Sequence, residues 1–142
     1  MTDDSFLHDC LFFTANRLSR AITKLAEDEF AMTGLTPMYG YLIRLVIGTP
    51  GISHKELSEK LSITSSTLTR FIDKLESKQL VERNVQGKNV FLYPTVKAKE
   101  LEGTIRQASK NMHMRYEALI GLETSRQMTK EIEAMSVQLE EH

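Results

Sequence analysis

The sequence contains little of what a secreted or membrane protein needs. Its only cysteine is Cys10, so no intrachain disulfide can form and a secreted disulfide scaffold is excluded. Residues 1–10 are acidic and lack the basic region and long apolar core of a signal peptide. No apolar run approaches the about 20 residues of a membrane span. We therefore expect a cytoplasmic protein that does not enter a membrane.

Enzyme motifs and metal sites are also missing. The sequence has no phosphate-binding glycine loop, no nucleophile elbow and no acidic pair in a plausible pocket. None of the histidines has zinc-finger spacing, and a regulatory metal site built from His8, Cys10 and His113 is not favoured. We expect a protein that is not an enzyme and that uses neither a metal nor a cofactor.

A strong overall charge is absent as well. The formal net charge is −1, so the chain is not the polycation that nucleic-acid-binding proteins often are. Its basic residues are concentrated in the middle, where residues 52–95 contain seven Lys and Arg against five Asp and Glu. Residues 1–51 and 96–142 have net charges of −2 and −1. A locally basic centre is what a DNA-facing region requires, although the contrast is small.

What the sequence does contain is a series of helices with clear start and stop signals. Residues 5–32 carry apolar side chains at spacings of three and four, which predicts one long helix capped by Gly34. The beginning of this helix is apolar nearly all the way round, which indicates burial against a second subunit. Thr36 followed by Pro37 predicts the start of a second helix, which ends near Gly48.

Two short helices and a hairpin follow. Ser53–Glu56 fits a capping box at the start of a short helix, which Ser62 ends. Ile63–Leu80 then forms an amphipathic helix, and two helices joined this closely predict a helix-turn-helix. Residues 81–83 and 90–93 are β-type runs with a glycine between them, which predicts a wing.

The helix at Ile63–Leu80 has the polar face of a DNA-reading helix. Five of its first residues are hydroxyls, although one or two would suffice as a cap and the others weaken the helix. Hydroxyls, followed here by Arg70 and Lys74, can reach base edges and phosphates in a major groove. A protein-interaction winged helix without DNA binding is the alternative, but it would expose apolar residues on this face. The residues expected to contact DNA, with the wing charges included, are His54, Lys55, Thr64, Ser65, Ser66, Thr67, Thr69, Arg70, Lys74, Arg83 and Lys88.

The order of elements, together with HKELSEKLSITSSTLTRFIDKLESKQLVER at residues 54–83, resembles the MarR family of bacterial transcription regulators. The resemblance covers nearly the whole chain. It implies a mainly α fold with a small β-wing, in which residues 1–34 and 95–142 form a dimerisation base and residues 35–94 a winged helix-turn-helix lobe. It also implies a homodimer that reads a pseudo-palindromic operator in double-stranded DNA, most simply as a repressor. The residues expected at the dimer interface are Phe6, Leu7, Leu11, Met128, Ile132, Met135 and Leu139.

The wing departs from that family. Gln86-Gly87-Lys88 is short and nearly uncharged, where the family usually carries an acidic residue followed by several arginines. Because phosphate contacts set much of the affinity, we expect more of the DNA contact to fall on the recognition helix.

Two hypotheses remain for the signal that releases DNA. Cys10-Leu11-Phe12 is similar to the Cys-Phe stretch of the OhrR-type peroxide-sensing branch, which implies release by an oxidant acting on Cys10. The two tyrosines that hold the thiolate in that branch are replaced by Thr14 and Lys24 at the matching positions here. A free cysteine is also commonly a small buried hydrophobic residue with a structural role only. The alternative is a small aromatic or amphipathic effector in a crevice between the dimer base and the winged lobe. The residues expected to line that crevice are Phe12, Phe13, Met38, Tyr39 and Tyr41.

Overall fold

The computed structural model describes residues 3–141, which divide into two compact units. One unit, called here the winged unit, comprises residues 30–108. The other, called here the helical unit, comprises residues 3–29 together with 109–141. Along the chain the elements are α1 (Ser5–His8), α2 (Leu11–Phe30), a 3₁₀ turn (Ala31–Thr33), α3 (Pro37–Gly48), β1 (Ile52–Ser53), α4 (His54–Leu61), α5 (Ser65–Ser77), β2 (Val81–Gln86), β3 (Asn89–Pro94), α6 (Val96–Ile120) and α7 (Leu122–Glu140).

The predicted long helix at residues 5–32 is interrupted, so that prediction was wrong in its extent. The first segment, α1, ends at His8, where the Cys10 amide donates to the Leu7 carbonyl across a tight turn (3.3 Å). An apolar pattern that runs all the way round gives no single face to stabilise a continuous helix, so a short break is tolerated. At the other end the predicted cap is confirmed, because Gly34 has a left-handed φ of 72°.

Side-chain caps start the three helices of the helix-turn-helix region, and those at Thr36 and Ser53 confirm the sequence prediction. The Thr36 hydroxyl accepts from the Tyr39 amide (3.5 Å). The Ser53 hydroxyl accepts from the Glu56 amide (3.1 Å). At the start of α5 the Thr64 hydroxyl accepts from the amide three residues on (3.2 Å). These contacts satisfy amides that a helix start leaves without backbone partners.

The wing is longer than predicted. The three strands form one antiparallel sheet in the order β1-β3-β2, and Gln86 pairs with Asn89 at its end. The connection is therefore the two-residue turn Gly87-Lys88, with a left-handed φ of 62° at the glycine. Residues 84–86 and 89, expected as loop, belong to the strands because cross-strand pairing outweighs the weak strand preference of Asn and Gln. Ile52 adds the short extended segment expected there and pairs with Leu92.

The core of the winged unit is apolar and closely packed. Its fully buried side chains come mainly from the end of α2, from α3, α4, α5 and β3, and from the first half of α6. This packing fixes the back of α5, and so leaves only its polar side for other partners. The residues at 0% exposure include Phe30, Leu42, Ile43, Val46, Leu57, Leu68, Ile72, Leu75, Leu92 and Ile105.

The helical unit exposes much of its apolar surface. Arg115 of α6 pairs with Asp28 (3.3 Å) and Glu29 (3.2 Å) of α2, which joins the two helices by charge. Gly121, at a φ of 94°, separates α6 from α7 as predicted. In residues 3–141 no single helix is long and apolar enough to cross a membrane; one bent pair, Leu11–Thr33 with Pro37–Gly48, reaches the required length and composition only when both are counted together.

Candidate nucleic-acid interface

The recognition helix α5 has one face in the core and two polar rows outside it. Leu68, Ile72 and Leu75 are completely buried, as their spacing predicts. Side chains three or four residues apart lie above one another on a helix, so the polar positions fall into rows. We call Thr69, Asp73 and Glu76 the anchoring row, and Ser66, Arg70 and Lys74 the free row.

The anchoring row binds the two neighbouring elements of the winged unit. The His54 Nε2 atom, in the first turn of α4, lies 3.1 Å from the Thr69 hydroxyl oxygen. Arg83, on strand β2, donates through Nη2 to the Asp73 carboxylate, and its Nε atom lies 3.5 Å from the Glu76 carboxylate. These contacts tie the recognition helix to α4 on one side and to the wing on the other.

Arg83 is therefore engaged inside the protein. Its side chain is 25% exposed, and the hydrogen bond to Asp73 is the main reason that its pKa is raised above its ordinary value. The nearby guanidinium also helps to lower the pKa of His54, although burial of the imidazole is the larger cause. Arg83 was predicted from the sequence as a DNA contact, and that role stays a prediction. In the structure its guanidinium binds Asp73 and Glu76 of the recognition helix.

The free row makes no comparable contacts. Ser66, Arg70 and Lys74 are exposed, and within residues 3–141 the Arg70 and Lys74 side chains form no hydrogen bond or ion pair. Ser66 has only a 3.3 Å contact to the Thr64 hydroxyl. Two positive charges and a hydroxyl thus stand along one line of a fixed helix, which is the chemistry needed to contact bases and phosphates.

The other predicted hydroxyls divide into engaged and free ones. The Thr64 hydroxyl donates to the Thr67 hydroxyl (2.9 Å) while it caps the helix, so both belong mainly to the helix start. The Ser65 side chain is exposed and has no hydrogen-bond partner among the described residues. Lys55, in the first turn of α4, and Lys88, in the wing turn, are exposed cations without ion pairs in the described chain.

Sequence reasoning missed the carboxylates that hold Arg83. The spacing of Thr69, Asp73 and Glu76 on one side of α5 can be read from the sequence. What the sequence does not reveal is that Arg83, ten residues after Asp73, lies opposite them, because that depends on how β2 packs against α5. The wing also presents exposed amides at Asn84, Gln86 and Asn89 that the sequence did not single out.

Comparison with known proteins follows the same elements. Residues 43–85, from the middle of α3 to the wing, match the sequence model of the MarR family. The helix-turn-helix and wing of the winged unit are thus similar to those of that family. The chain is also similar to the uncharacterised HTH-type transcriptional regulator YybA of Bacillus subtilis (strain 168), with 30% identity over 98 residues. That alignment spans 66% of this chain and 65% of the length of the relative.

Solved structures extend the MarR-type likeness to nearly the whole chain. CouR from Rhodococcus jostii RHA1 bound to p-coumaroyl-CoA superposes with a TM-score of 0.76 and 19% identity, over 91% of this chain and 93% of CouR. The S. aureus MepR–DNA complex gives a TM-score of 0.78 and 16% identity, over 92% of this chain and 98% of MepR. At these identities the likeness establishes the fold, a mainly helical MarR-type winged helix with a small three-stranded sheet.

The candidate sensing residue, Cys10, lies at the break between α1 and α2 and is partly buried. Its carbonyl accepts from the Thr14 hydroxyl (2.9 Å), and no described side chain forms a hydrogen bond with its thiol. Nearby, the His8 ring packs edge-on against Phe13, with ring centroids 6.1 Å apart. The helix break is therefore held locally by backbone and ring contacts.

The predicted effector-pocket residues have separate surroundings. Phe12 belongs to the helical unit and is 78% exposed. In the winged unit Tyr39 packs edge-on against Phe71 (5.1 Å between ring centroids), and Tyr41 against Phe30 (6.0 Å). Met38 is half-buried. A cleft of about 350 Å³ in the winged unit is lined by other residues, namely Thr33, Gly34, Leu35, Lys78, Leu80, Lys97, Glu100 and Leu101.

Proposed function

We propose that this protein is a homodimeric MarR-type transcription regulator that binds a pseudo-palindromic operator in double-stranded DNA as a repressor. The observation that carries the proposal is the free row of Ser66, Arg70 and Lys74 on α5. These side chains are exposed and uncommitted, whereas the other two sides of the helix are fixed by the core and by the anchoring row. A helix held in this way presents its DNA-contacting side chains at a defined angle, as binding in a major groove requires.

The DNA contacts are divided among the elements as follows. Ser65, Ser66 and Arg70 face base edges, where an arginine fork suits guanine. Lys74, Lys55 and Lys88 neutralise phosphates from the helix, the first turn of α4 and the wing turn. Arg83 pairs with the Asp73 and Glu76 carboxylates and offsets one of their two negative charges, so they repel the phosphates less than their number suggests.

The apolar surface of the helical unit supports the homodimer. Phe6, Leu11 and Phe12 at its N-terminal end are 69%, 63% and 78% exposed in the single chain. Ile132 and Leu139 of α7 are 42% and 71% exposed. Soluble monomers rarely leave so many large apolar side chains together in water. A second copy of the chain covers them in the proposed dimer, and it also supplies the second reading helix that a pseudo-palindrome demands.

The test is selection of DNA from a random duplex library by the full-length protein, followed by competition between the selected duplex and a scrambled one. We expect an enriched motif and a preference of at least about 1000-fold over the scrambled duplex at moderate salt. An unenriched library, or equal affinity for both duplexes, would refute sequence-specific DNA binding. It would favour the protein-interaction alternative, in which the winged unit binds another polypeptide.

For the releasing signal we propose oxidation of Cys10, and a small-molecule effector is the second candidate. The position of Cys10 at a helix break supports the first, because modification there changes the packing of the apolar N-terminal end. The second draws on the likeness to CouR, whose structure contains p-coumaroyl-CoA. In that case an amphipathic molecule with an aromatic part is the effector and Cys10 is structural.

One titration separates the two signals. The selected duplex is bound by wild type and by Cys10→Ser, and each complex is titrated with an organic hydroperoxide. The redox hypothesis predicts release of wild type and retention of the variant. Equal release of both, or release of neither, contradicts it. A matched titration with aromatic carboxylates and their thioesters then tests the second candidate in the Cys10→Ser protein.

A further inference from the structure

We propose that Thr69 is a specificity-determining residue that can only accept a hydrogen bond from DNA, and that it therefore selects adenine or cytosine at the base it faces. The inference rests on the proposed DNA-binding function. It comes from the hydrogen bonds that join Thr69 to His54 and to the carbonyl of Ser65.

The Thr69 hydroxyl has two partners inside the protein. Its oxygen lies 3.0 Å from the Ser65 carbonyl oxygen, four residues earlier in the same helix. It also lies 3.1 Å from the His54 Nε2 atom of α4. A hydroxyl has one proton and two lone pairs, so these two contacts determine how its hydrogen-bonding capacity is used.

The proton goes to Ser65. A carbonyl oxygen can only accept, so the Thr69 hydroxyl must donate its single proton there. His54 must then donate its Nε2 proton to the Thr69 oxygen, which places the other ring nitrogen, Nδ1, in the acceptor form when the imidazole is neutral. A second proton on the ring adds to Nδ1 and leaves the donated Nε2 proton in place. The arrangement at Thr69 is thus the same in both charge states of His54.

One lone pair of the Thr69 oxygen remains for DNA. In the major groove the hydrogen-bond donors are the exocyclic amino groups of adenine and cytosine, whereas guanine and thymine present oxygen acceptors at the corresponding positions. If the base presents an acceptor at that position, its lone pair faces the lone pair of the Thr69 oxygen and no hydrogen bond forms. The side chain is exposed on α5 and directly precedes Arg70, the free-row residue that we assign to bases. Thr69 therefore favours adenine or cytosine on the strand it meets.

Ser65, one turn earlier, provides an internal contrast. Its side chain is exposed and has no hydrogen-bond partner among the described residues. A free hydroxyl rotates to donate or to accept, so it discriminates poorly between bases. Without His54 and the Ser65 carbonyl, Thr69 would behave in the same way. His54 is thus a positioning residue that acts on the operator through Thr69.

The experiment compares base preferences of four proteins: wild type, Thr69→Val, Thr69→Ser and Ser65→Ala. Each selects from the same random duplex library, and dissociation constants are then measured on duplexes that carry each of the four bases at every position of the half-site. Valine has the shape of threonine without the hydroxyl, and serine keeps the hydroxyl. We expect wild type and Thr69→Ser to prefer adenine or cytosine by about 3- to 10-fold at one half-site position, the range for one neutral hydrogen bond.

Thr69→Val should lose that preference at this position alone, and Ser65→Ala should keep it. His54→Gln, whose amide can also donate, should preserve it, whereas His54→Leu should weaken it. Identical preferences for wild type and Thr69→Val, or a Thr69-dependent preference for guanine or thymine, would overturn the assignment. If wild type enriches no motif while it is folded, the proposed function itself is refuted, and the assignment with it.

Discussion

The bond between Arg83 and the recognition helix gives the sharpest prediction about the proposed DNA binding. Replacing Asp73 by asparagine removes a negative charge from the helix that faces the phosphates. If Asp73 did nothing but repel DNA, the variant would bind more tightly. If Asp73 anchors Arg83, as the ion pair indicates, the variant binds its operator more weakly because the wing and α5 lose their fixed relation.

The expected magnitudes follow from the exposure of the three groups. The Arg83 side chain is 25% exposed, and those of Asp73 and Glu76 are 59% and 47% exposed. Solvent therefore screens the pairs, and loss of one should lower the free energy of unfolding by only about 0.2–1 kcal/mol. Operator binding is more sensitive, because both DNA-contacting elements must fit at once. We expect the dissociation constant to rise about 3- to 10-fold, which corresponds to roughly 1 kcal/mol of coupling.

The assay is fluorescence anisotropy with operator and scrambled duplexes over a series of salt concentrations. If Arg83 contacts a phosphate, its replacement by glutamine should reduce the slope of log affinity against log salt by about 0.9. Binding of the operator and of the scrambled duplex should then weaken equally. If Arg83 instead anchors the wing, the same replacement should leave the salt slope unchanged and weaken binding to the operator alone. The double variant Arg83→Gln/Asp73→Asn should then bind no worse than either single variant. Lys88→Gln is the matched control, since loss of that free cation should reduce the slope.

A tighter operator complex with Asp73→Asn would refute this reasoning. Strictly additive effects in the double variant would do so as well, because independent residues do not share a contact.

Three further predictions concern other parts of the chain. Arg70→Ala should weaken operator binding by about 1–3 kcal/mol and relax the preference at one base, as read from base-substituted duplexes. Gly40→Ala should lower the free energy of unfolding by about 1–3 kcal/mol in a urea titration, because a Cβ would lie 2.9 Å from the Phe30 ring. Unchanged stability would show that the ring has room to move. Removal of residues 1–13 should abolish dimers in sedimentation experiments, while removal of residues 1–4, which are not apolar as a group, should not; a dimeric 1–13 deletion would contradict the proposed interface.

Local signals in the sequence predicted most of the fold correctly. The caps at Thr36 and Ser53 involve residues within one turn, so their chemistry is visible in a short stretch of sequence. The buried face of α5 follows in the same way from the periodic spacing of its apolar residues. The glycine at position 34 occupies a left-handed cap because few other residues tolerate that conformation.

Contacts between elements could not be predicted in this way. That Arg83 lies opposite Asp73 depends on the packing of a strand against a helix, and no local pattern encodes it. The sequence made Arg83 look like a free wing charge and Thr69 like one of five equivalent hydroxyls. The structure separates them, because α4 and β2 meet α5 on the anchoring row and leave the free row open. The break in the first helix escaped prediction for a related reason, since an apolar pattern on all sides specifies no single packing partner.

The central claim is that two copies of this chain read one operator with their recognition helices in neighbouring major grooves. Hydroxyl-radical footprinting of the selected duplex tests it most directly. The account predicts two inverted half-sites with centres about 10 base pairs apart, protected together at one dimer per duplex, and loss of both footprints in Arg70→Ala at the same protein concentration. A single unrepeated half-site, or uniform protection that does not depend on sequence, would contradict it.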